Sequence, residues 1–500
     1  MSQIRKQSII STVFVYGGFI IGFVNTYLFT RSGSLFTPSQ YGLTNIFIAV
    51  GNLMFAFANM GMMGAISKFY PYYEDNLEKK KNDLITWALM VNIAGFILVV
   101  FAGILFKDLV IRKFGERSPE FVQYYFWVFP FGFSITIYSL LEAFTYNIRK
   151  SIVTNFLREV MFRVLTSILI LCFSFRLIHS FDILIKLYSF TYGVIAIILA
   201  VYLVYKKELY LVAGISRVTK KFYRKILSLA SLIYLYGIIF MIAQFIDAII
   251  IMSLKGMAAL GIFSLGNIVS GLVQAPQRGA VTASVGPLSR AWKDKDYARI
   301  QLIYHRSGIN LLIASLGIFL LIWLNYEDAV YTFHLKPTYL ASQMVFFFLG
   351  MAKVIDLGTG VNSQIIGTSN YWRFELFSGM ILVSLAFPLN YILVKKYGIV
   401  GAGYSSVIAF TVFNLIRIFF LKYKFNMHPF SIKTVYAVLI GVVCYVITYY
   451  SLSSFHHLGA MISRSFLFLV MYATAVIYFQ LSPDVEPVWK VIKRRLHLTR

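Results

Sequence analysis

The chain has 500 residues, of which 59% are hydrophobic and only 13% charged, and its mean hydropathy is +0.74. A soluble domain averages about 45–50% apolar and about 25% charged residues, so a soluble globular protein, a coiled coil and a disordered tail are all excluded. A net charge of +26 on a soluble chain would suggest nucleic acid. Here the bases sit mostly in short loops between apolar runs, and no basic–aromatic nucleic-acid module is present.

The apolar runs recur down the whole chain, and many are near the roughly 20 residues that cross a bilayer core of about 30 Å. They predict an all-α polytopic membrane protein with fourteen spans. Their approximate limits are 9–30, 43–66, 84–106, 121–146, 157–175, 183–205, 226–252, 261–288, 303–325, 339–368, 374–394, 400–421, 433–453 and 464–482. The first run follows Arg5 and Lys6. It is long for a signal peptide and has no small-residue cleavage site, so it reads as a retained first helix. In the eighth run, Pro276, Gln277 and Arg278 interrupt the apolar pattern. Such breaks are tolerated where a helix faces protein or a cavity.

Lys and Arg in short loops set orientation. With the N-terminus inside, the inside segments carry most of the basic residues, above all 206–225 and 490–500. Both termini are thus expected in the cytoplasm. The loop 107–120, with four bases outside, is the main exception. No loop exceeds about 20 residues, which leaves no room for a folded soluble domain between spans. There is no Walker A sequence, HExxH, GxSxG or clustered His/Cys/Asp set. Cys172 and Cys444 lie inside apolar runs and read as small core residues. The chain is therefore expected not to be an enzyme, and no metal or cofactor is expected.

Ser8–Gly17 lies opposite Ser228–Gly237, and Tyr41-Gly42-Leu43 lies opposite Leu260-Gly261-Ile262. The copies are six spans apart, so the repeat is parallel. It predicts two six-helix lobes, 1–205 and 226–424, joined by a basic linker, 206–225. Two further spans (425–482) and a basic tail (483–500) follow. A parallel repeat places a substrate site between lobes near the midplane.

Several stretches carry a family resemblance. Thr30-Arg31, then Thr37-Pro-Ser-Gln-Tyr41-Gly42-Leu and a helix reaching Asn59-Met-Gly61, resembles the opening signature of polysaccharide-exporting flippases, with the Pro one step early relative to a Ser. Asp247-Ala-Ile-Ile-Ile-Met with Gly256 and Leu260-Gly261-Ile-Phe-Ser resembles the entry to the second half. Pro388-Leu-Asn390 with Tyr397-Gly-Ile-Val-Gly401-Ala402-Gly403 resembles the junction of spans eleven and twelve. The chain is similar over nearly its whole length to the O-antigen and capsular oligosaccharide flippases. These belong to the multidrug/oligosaccharidyl-lipid/polysaccharide exporter superfamily. The resemblance implies movement of an undecaprenyl-diphosphate-linked oligosaccharide to the outer leaflet of a bacterial inner membrane. The partners implied are that lipid-linked cargo, membrane lipids and polysaccharide polymerase or assembly proteins.

Charges within the membrane are costly and usually face a cavity or a partner. A diphosphate calls for cationic donors, and guanidinium suits bidentate phosphate contact. The candidates are Arg278 beside Pro276 and Gly279, Arg31 at the end of span one, Lys353 on span ten, and Lys68 at the end of span two. Arg31 also fits an interfacial residue, and Lys68 a topology charge. Asp247 and Asp356 are the candidates for coupling to H+, Na+ or the membrane potential. Lys353 and Asp356 are three apart, so they share a helix face. They read either as a self-neutralising pair or as a pair that changes partners. Glu159 and Arg163 are expected to pair, while Glu142, Arg306, Glu375 and Arg417 read as interfacial or structural. A multidrug or small-cation exporter of the same superfamily is the alternative function. It would favour an acidic, aromatic cavity.

Overall fold

The computed structural model describes residues 3–212, 214–452 and 457–484. The predicted tail 490–500 and His456 lie outside the described residues, as do the side chains of Arg5, Lys6 and His457. The chain divides into two compact units, Met1–Gly261 and Ile262–Arg500. No strand occurs among the described residues.

The principal helices of the first unit are α1 (Gln3–Thr30), α2 (Pro38–Ala58), α3 (Met62–Asn76), α4 (Leu84–Leu105), α5 (Val128–Asn147), α6 (Phe162–Ser174), α7 (Thr191–Tyr205) and α8 (Arg217–Lys255). Helix α9 (Met257–Gly271) crosses the unit boundary. The second unit continues with α10 (Ala275–Lys293), α11 (Tyr297–Thr332), α12 (Ser342–Gly358), α13 (Asn362–Gly367), α14 (Trp372–Tyr397), α15 (Ile399–Phe425), α16 (Ile432–Ser451) and α17 (His457–Tyr478).

Thirteen helical stretches among the described residues are long and apolar enough to cross a membrane. Each falls on a predicted span. The remaining one, 157–175, is also helical. Ser151–Asn155 runs through a π turn at Phe156–Met161 into α6. That turn and the start of α6 hold Arg158, Glu159 and Arg163, which lower the hydropathy of this stretch.

The Thr37–Gly42 motif is a helix start followed by a contact. Thr37 caps α2, its hydroxyl accepting from the Gln40 amide while the Gln40 side chain accepts from the Thr37 amide. Pro38 occupies the first turn, where it costs no hydrogen bond. Tyr41 is buried. A Cβ on Gly42 would lie 2.3 Å from the Met257 carbonyl, and one on Gly261 would lie 2.1 Å from the Pro38 carbonyl. The two glycines that the repeat makes equivalent therefore meet back to back. Small residues permit such backbone approach in membranes, where packing rather than water exclusion drives association.

At the far end of α2, Asn59 closes the helix. Its side-chain oxygen accepts from the Met63 amide, and Gly61 turns the chain at φ +76°. Past this turn α3 leads into the core of the first unit, where Ile66, Phe69, Tyr73, Tyr138, Leu141, Leu199 and Leu203 pack together.

The linker between α7 and α8 is tied down by two acids. Glu208 accepts from Lys79 at 2.6 Å and Lys150 at 2.9 Å. Asp83 is fully buried. Its Oδ2 accepts from the Ser216 amide and the Thr219 hydroxyl, each at 2.8 Å. Ser216 is the cap of α8.

Two predictions follow from this packing. Gly261→Ala is expected to destabilise by about 1–3 kcal/mol, because the clash is with backbone that cannot swing away. Gly379→Ala within α14 has nothing within 4 Å of its Cβ and is expected to be neutral or slightly stabilising. Thermal unfolding of the two variants in detergent tests the contrast.

The second concerns pH. Burial by itself raises the Glu208 carboxyl pKa, but hydrogen bonds from Lys79 and Lys150 outweigh it and the net shift is downward. A lowered folded-state pKa adds stability that is full above the unfolded value of about 4.3 and is lost as pH falls through the lower folded value. Glu208→Gln is expected to be less stable than the parent at neutral pH. The gap should close on acidification, as read by unfolding midpoints along a pH series.

Candidate functional site

The densest arrangement of intramembrane polar groups in the second unit spans α12 to α15. Asp356 stands near the C-terminal end of α12, where Thr359 and the glycine Gly360, at φ +69°, end the helix. This break frees the chain to enter α13, which presents Asn362 and Ser363. Helix α14 supplies Glu375 and Ser378. Helix α15 supplies Asn414 and, three residues on, Arg417 on the same face.

Asn414 is the hub. Its Nδ2 donates to Asp356 Oδ1 at 2.9 Å. Its Oδ1 accepts from Thr359 Oγ1 at 2.8 Å and from Asn362 Nδ2 at 2.8 Å. Asn362 in turn accepts from Arg417 through its Oδ1 at 3.3 Å. Arg417 is 4% exposed and pairs with Glu375. It also donates to Ser378 Oγ at 3.1 Å and lies over the Phe413 ring, 3.8 Å from its centre. Glu375 Oε1 accepts from Ser363 at 2.6 Å. Asp356 and Glu375 are thus joined by one chain of hydrogen bonds through two neutral amides and a guanidinium.

Lys353 and Asp356 share a helix face, as expected, but they do not pair. Lys353 Nζ donates to Ser270 Oγ of α9 at 2.9 Å, and Asp356 faces Asn414. Of the two readings of this pair, the self-neutralising one is not what the structure holds. Arg278 is exposed on α10 of the same unit, and its carbonyl accepts from the Thr282 hydroxyl.

Three predicted residues belong to the first unit. Arg31 closes α1 and is partly buried, with Nε shielded from solvent. Lys68 is exposed on α3, and Asp247 is partly buried on α8. Among the described residues of the unit, neither Arg31 nor Lys68 is in an ion pair. Lys353 and Asp356 are near one another on α12, and the other four candidates occupy four different helices or helix ends.

Two ion pairs in the first unit cluster around the π turn. Glu159 and Arg163 pair at 2.9 Å, as their spacing predicted. Arg163 also lies against α1: a Cβ on Gly18 would stand 2.3 Å from its guanidinium, and the Phe19 ring centre is 5.6 Å away. Glu142 is buried and accepts from Arg158 at 2.8 Å and from the Tyr146 hydroxyl at 3.1 Å. π turns recur at functional sites.

Sequence reasoning named Asp356, Glu375 and Arg417 but missed Asn414, Asn362 and Thr359, which join them. The available signal was spacing: Asp356/Thr359 and Asn414/Arg417 are both three apart within apolar helices. Among the described residues, no group of three or more His, Cys, Asp and Glu side chains is arranged to hold a metal ion.

No family model and no curated protein sequence matches the chain. Solved structures do. A lipid II flippase, MurJ, in an inward closed conformation matches at TM-score 0.72 and 15% identity, over 94% of this chain and 99% of that one. An inward-facing multidrug resistance MATE transporter of the MOP superfamily matches at 0.65 and 13%, over 82% and 94%. A MOP superfamily transporter from Pyrococcus furiosus, described as having a binding pocket of reverse polarity, matches at 0.54 and 15%, over 83% and 95%. The chain has the polytopic all-α fold that these transporters share.

Removing one member of a buried pair strands the other. Arg417→Leu is therefore expected to destabilise by about 3 kcal/mol or more, and Arg417→Leu with Glu375→Leu by clearly less than the sum of the single changes. A double-mutant cycle on unfolding midpoints gives the coupling.

Proposed function

We propose that the chain is a flippase. It moves an undecaprenyl-diphosphate-linked oligosaccharide from the inner to the outer leaflet by alternating access, for cell-surface polysaccharide synthesis. The observation that carries this reading is the mutual coverage with the lipid II flippase, which is nearly complete for both chains. The multidrug transporter matches a smaller share of this chain at a lower TM-score. The charge pattern points the same way. A diphosphate cargo needs cations at membrane depth, and Arg278 and Lys353 supply two in the second unit. Of the intramembrane acids, Glu142, Glu159 and Glu375 are each held by an arginine, whereas Asp356 is held by the neutral amide of Asn414.

In this reading Arg278, Arg31, Lys353 and Lys68 are the candidates for contact with the diphosphate. Arg278 is first among them, because its guanidinium is exposed on the proline- and glycine-containing stretch of α10. Asp356 and Asp247 are the groups that couple transport to H+, Na+ or the membrane potential. No covalent chemistry is required. One elementary charge moving through 100 mV releases about 2.3 kcal/mol, which is enough to bias release of an anionic cargo. The setting is a bacterial inner membrane with both termini cytoplasmic.

The test is leaflet-resolved flipping of an undecaprenyl-diphosphate oligosaccharide in proteoliposomes, with Arg278→Ala beside the parent. The parent is expected to transport, and the folded variant to lose at least about tenfold in rate, the equivalent of one charge-assisted contact. Collapse of the membrane potential is expected to slow the parent. Transport of organic cations but not of the lipid-linked glycan would favour the exporter instead.

A further inference from the structure

Helix α8 is 39 residues long, about 58 Å at 1.5 Å per residue, whereas a bilayer core is about 30 Å thick. Its apolar run begins at Ile226, so its first nine residues extend beyond the hydrocarbon. That segment is Arg217-Val-Thr-Lys-Lys-Phe-Tyr-Arg-Lys225. Val218, Ile226 and Ala230 turn inward and are buried in the core of the first unit, with Phe222 packed against it. Arg217, Lys220, Lys221, Arg224 and Lys225 are exposed, and among the described residues none of them is in an ion pair. Tyr223 and Leu227 lie exposed among them, at 47% and 63%.

The acids of the region are arranged in the opposite sense. Asp83 is buried beneath the start of α8, and Glu208 is drawn down between Lys79 and Lys150. Lys206 and Lys207, next to Glu208, remain exposed. The remaining acids nearby, Glu74, Asp75 and Glu78, are exposed on α3 and its following turn, and Glu78 pairs with Lys81. The linker thus presents cations and two apolar side chains outward at headgroup depth while its own acid is held inward.

We propose that this outward face of residues 206–227 binds the headgroups of anionic phospholipids. It would gather such lipids around the first unit independently of any cargo. Lysine and arginine at the membrane surface attract anionic lipid. Tyr223 and Leu227 would seat in the interface beside them, as amphipathic surface helices do.

The test uses the full-length protein in phosphatidylcholine vesicles containing a minority of phosphatidylglycerol. Spin-labelled forms of each lipid report which one the protein immobilises. The parent is expected to prefer phosphatidylglycerol several-fold. Lys220→Gln/Lys221→Gln/Arg224→Gln/Lys225→Gln should bring that preference to about one-fold. Lys220→Arg/Lys221→Arg/Lys225→Arg should keep it. Raising salt from about 0.1 to 1 M, which shortens the screening length from about 10 to 3 Å, should weaken it. A control removes four exposed lysines of the second unit, Lys293, Lys295, Lys422 and Lys424, and should leave the preference intact. An equal loss in the control would mean that the effect is general to surface charge and would overturn the assignment. So would a parent without preference, a folded quadruple variant that retains it, or displacement of the lipid by millimolar pyrophosphate, which would mark a soluble-anion site.

Discussion

Hydrocarbon can solvate neither an open backbone amide nor a bare charge, and most of this structure answers that constraint. The chain crosses the apolar phase as helices, which satisfy their own amides. The few charges it carries inside are then met by partners on neighbouring helices. Arg417 shows how complete the answer can be. Its fork meets Glu375, Ser378 and Asn362, and its flat face covers Phe413. Arg464 is likewise spent on Asp328 and the Leu452 carbonyl, where α16 ends. Arg163 meets Glu159 across one turn. The Arg417 and Arg464 pairs join different helices, and breaking any of the three would leave a charge in a medium that cannot accept it.

The second consequence is closeness. Lipid tails are as apolar as leucine, so helices gain by packing backbones together rather than by escaping water. The glycines at the contacts record this. Gly42 and Gly261 let α2 and α9 touch, Gly61 sits under the Ala230 carbonyl, and Gly95 sits under that of Ala58. At each position a methyl group would enter backbone. Gly42 and Gly261, which the sequence aligns, are one such pair that meets.

The spans were legible because a bilayer imposes one length on every apolar run, and that length survives in a single sequence. The start of α2 was not read: its cap at Thr37 and Gln40 is purely local, but it lies before the apolar run that set the predicted limit at 43. Partnership between distant helices was not legible either. Glu375 and Arg417 lie 42 positions apart, and their meeting depends on the rotation of α14 and α15 about their axes. Lys353 and Asp356 illustrate the same gap from the other side. Their spacing permits a pair, but Ser270 and Asn414 compete for them and win. The amides Asn362 and Asn414 carry no formal charge, so an inventory of buried charges passes over the residues that join Asp356 to Arg417.

The two acids of that network are held in different ways, and the difference bears on how ion coupling could work here. Glu375 is neutralised in place by Arg417, with Ser363 completing its shell, so a cation or proton arriving there would have to displace a guanidinium. Asp356 instead receives a neutral amide from Asn414. The amide donates a hydrogen bond but brings no compensating charge. Its carbonyl is shared by Thr359 and Asn362, so any rotation of the Asn414 amide would disturb those bonds as well. A change of charge at Asp356 would then pass along the chain of hydrogen bonds, through Asn414 and Asn362, to the guanidinium that ties α15 to α14. Of the two carboxylates, the one held by an amide rather than by a guanidinium is Asp356, and it stands with Asp247 among the groups proposed for ion coupling.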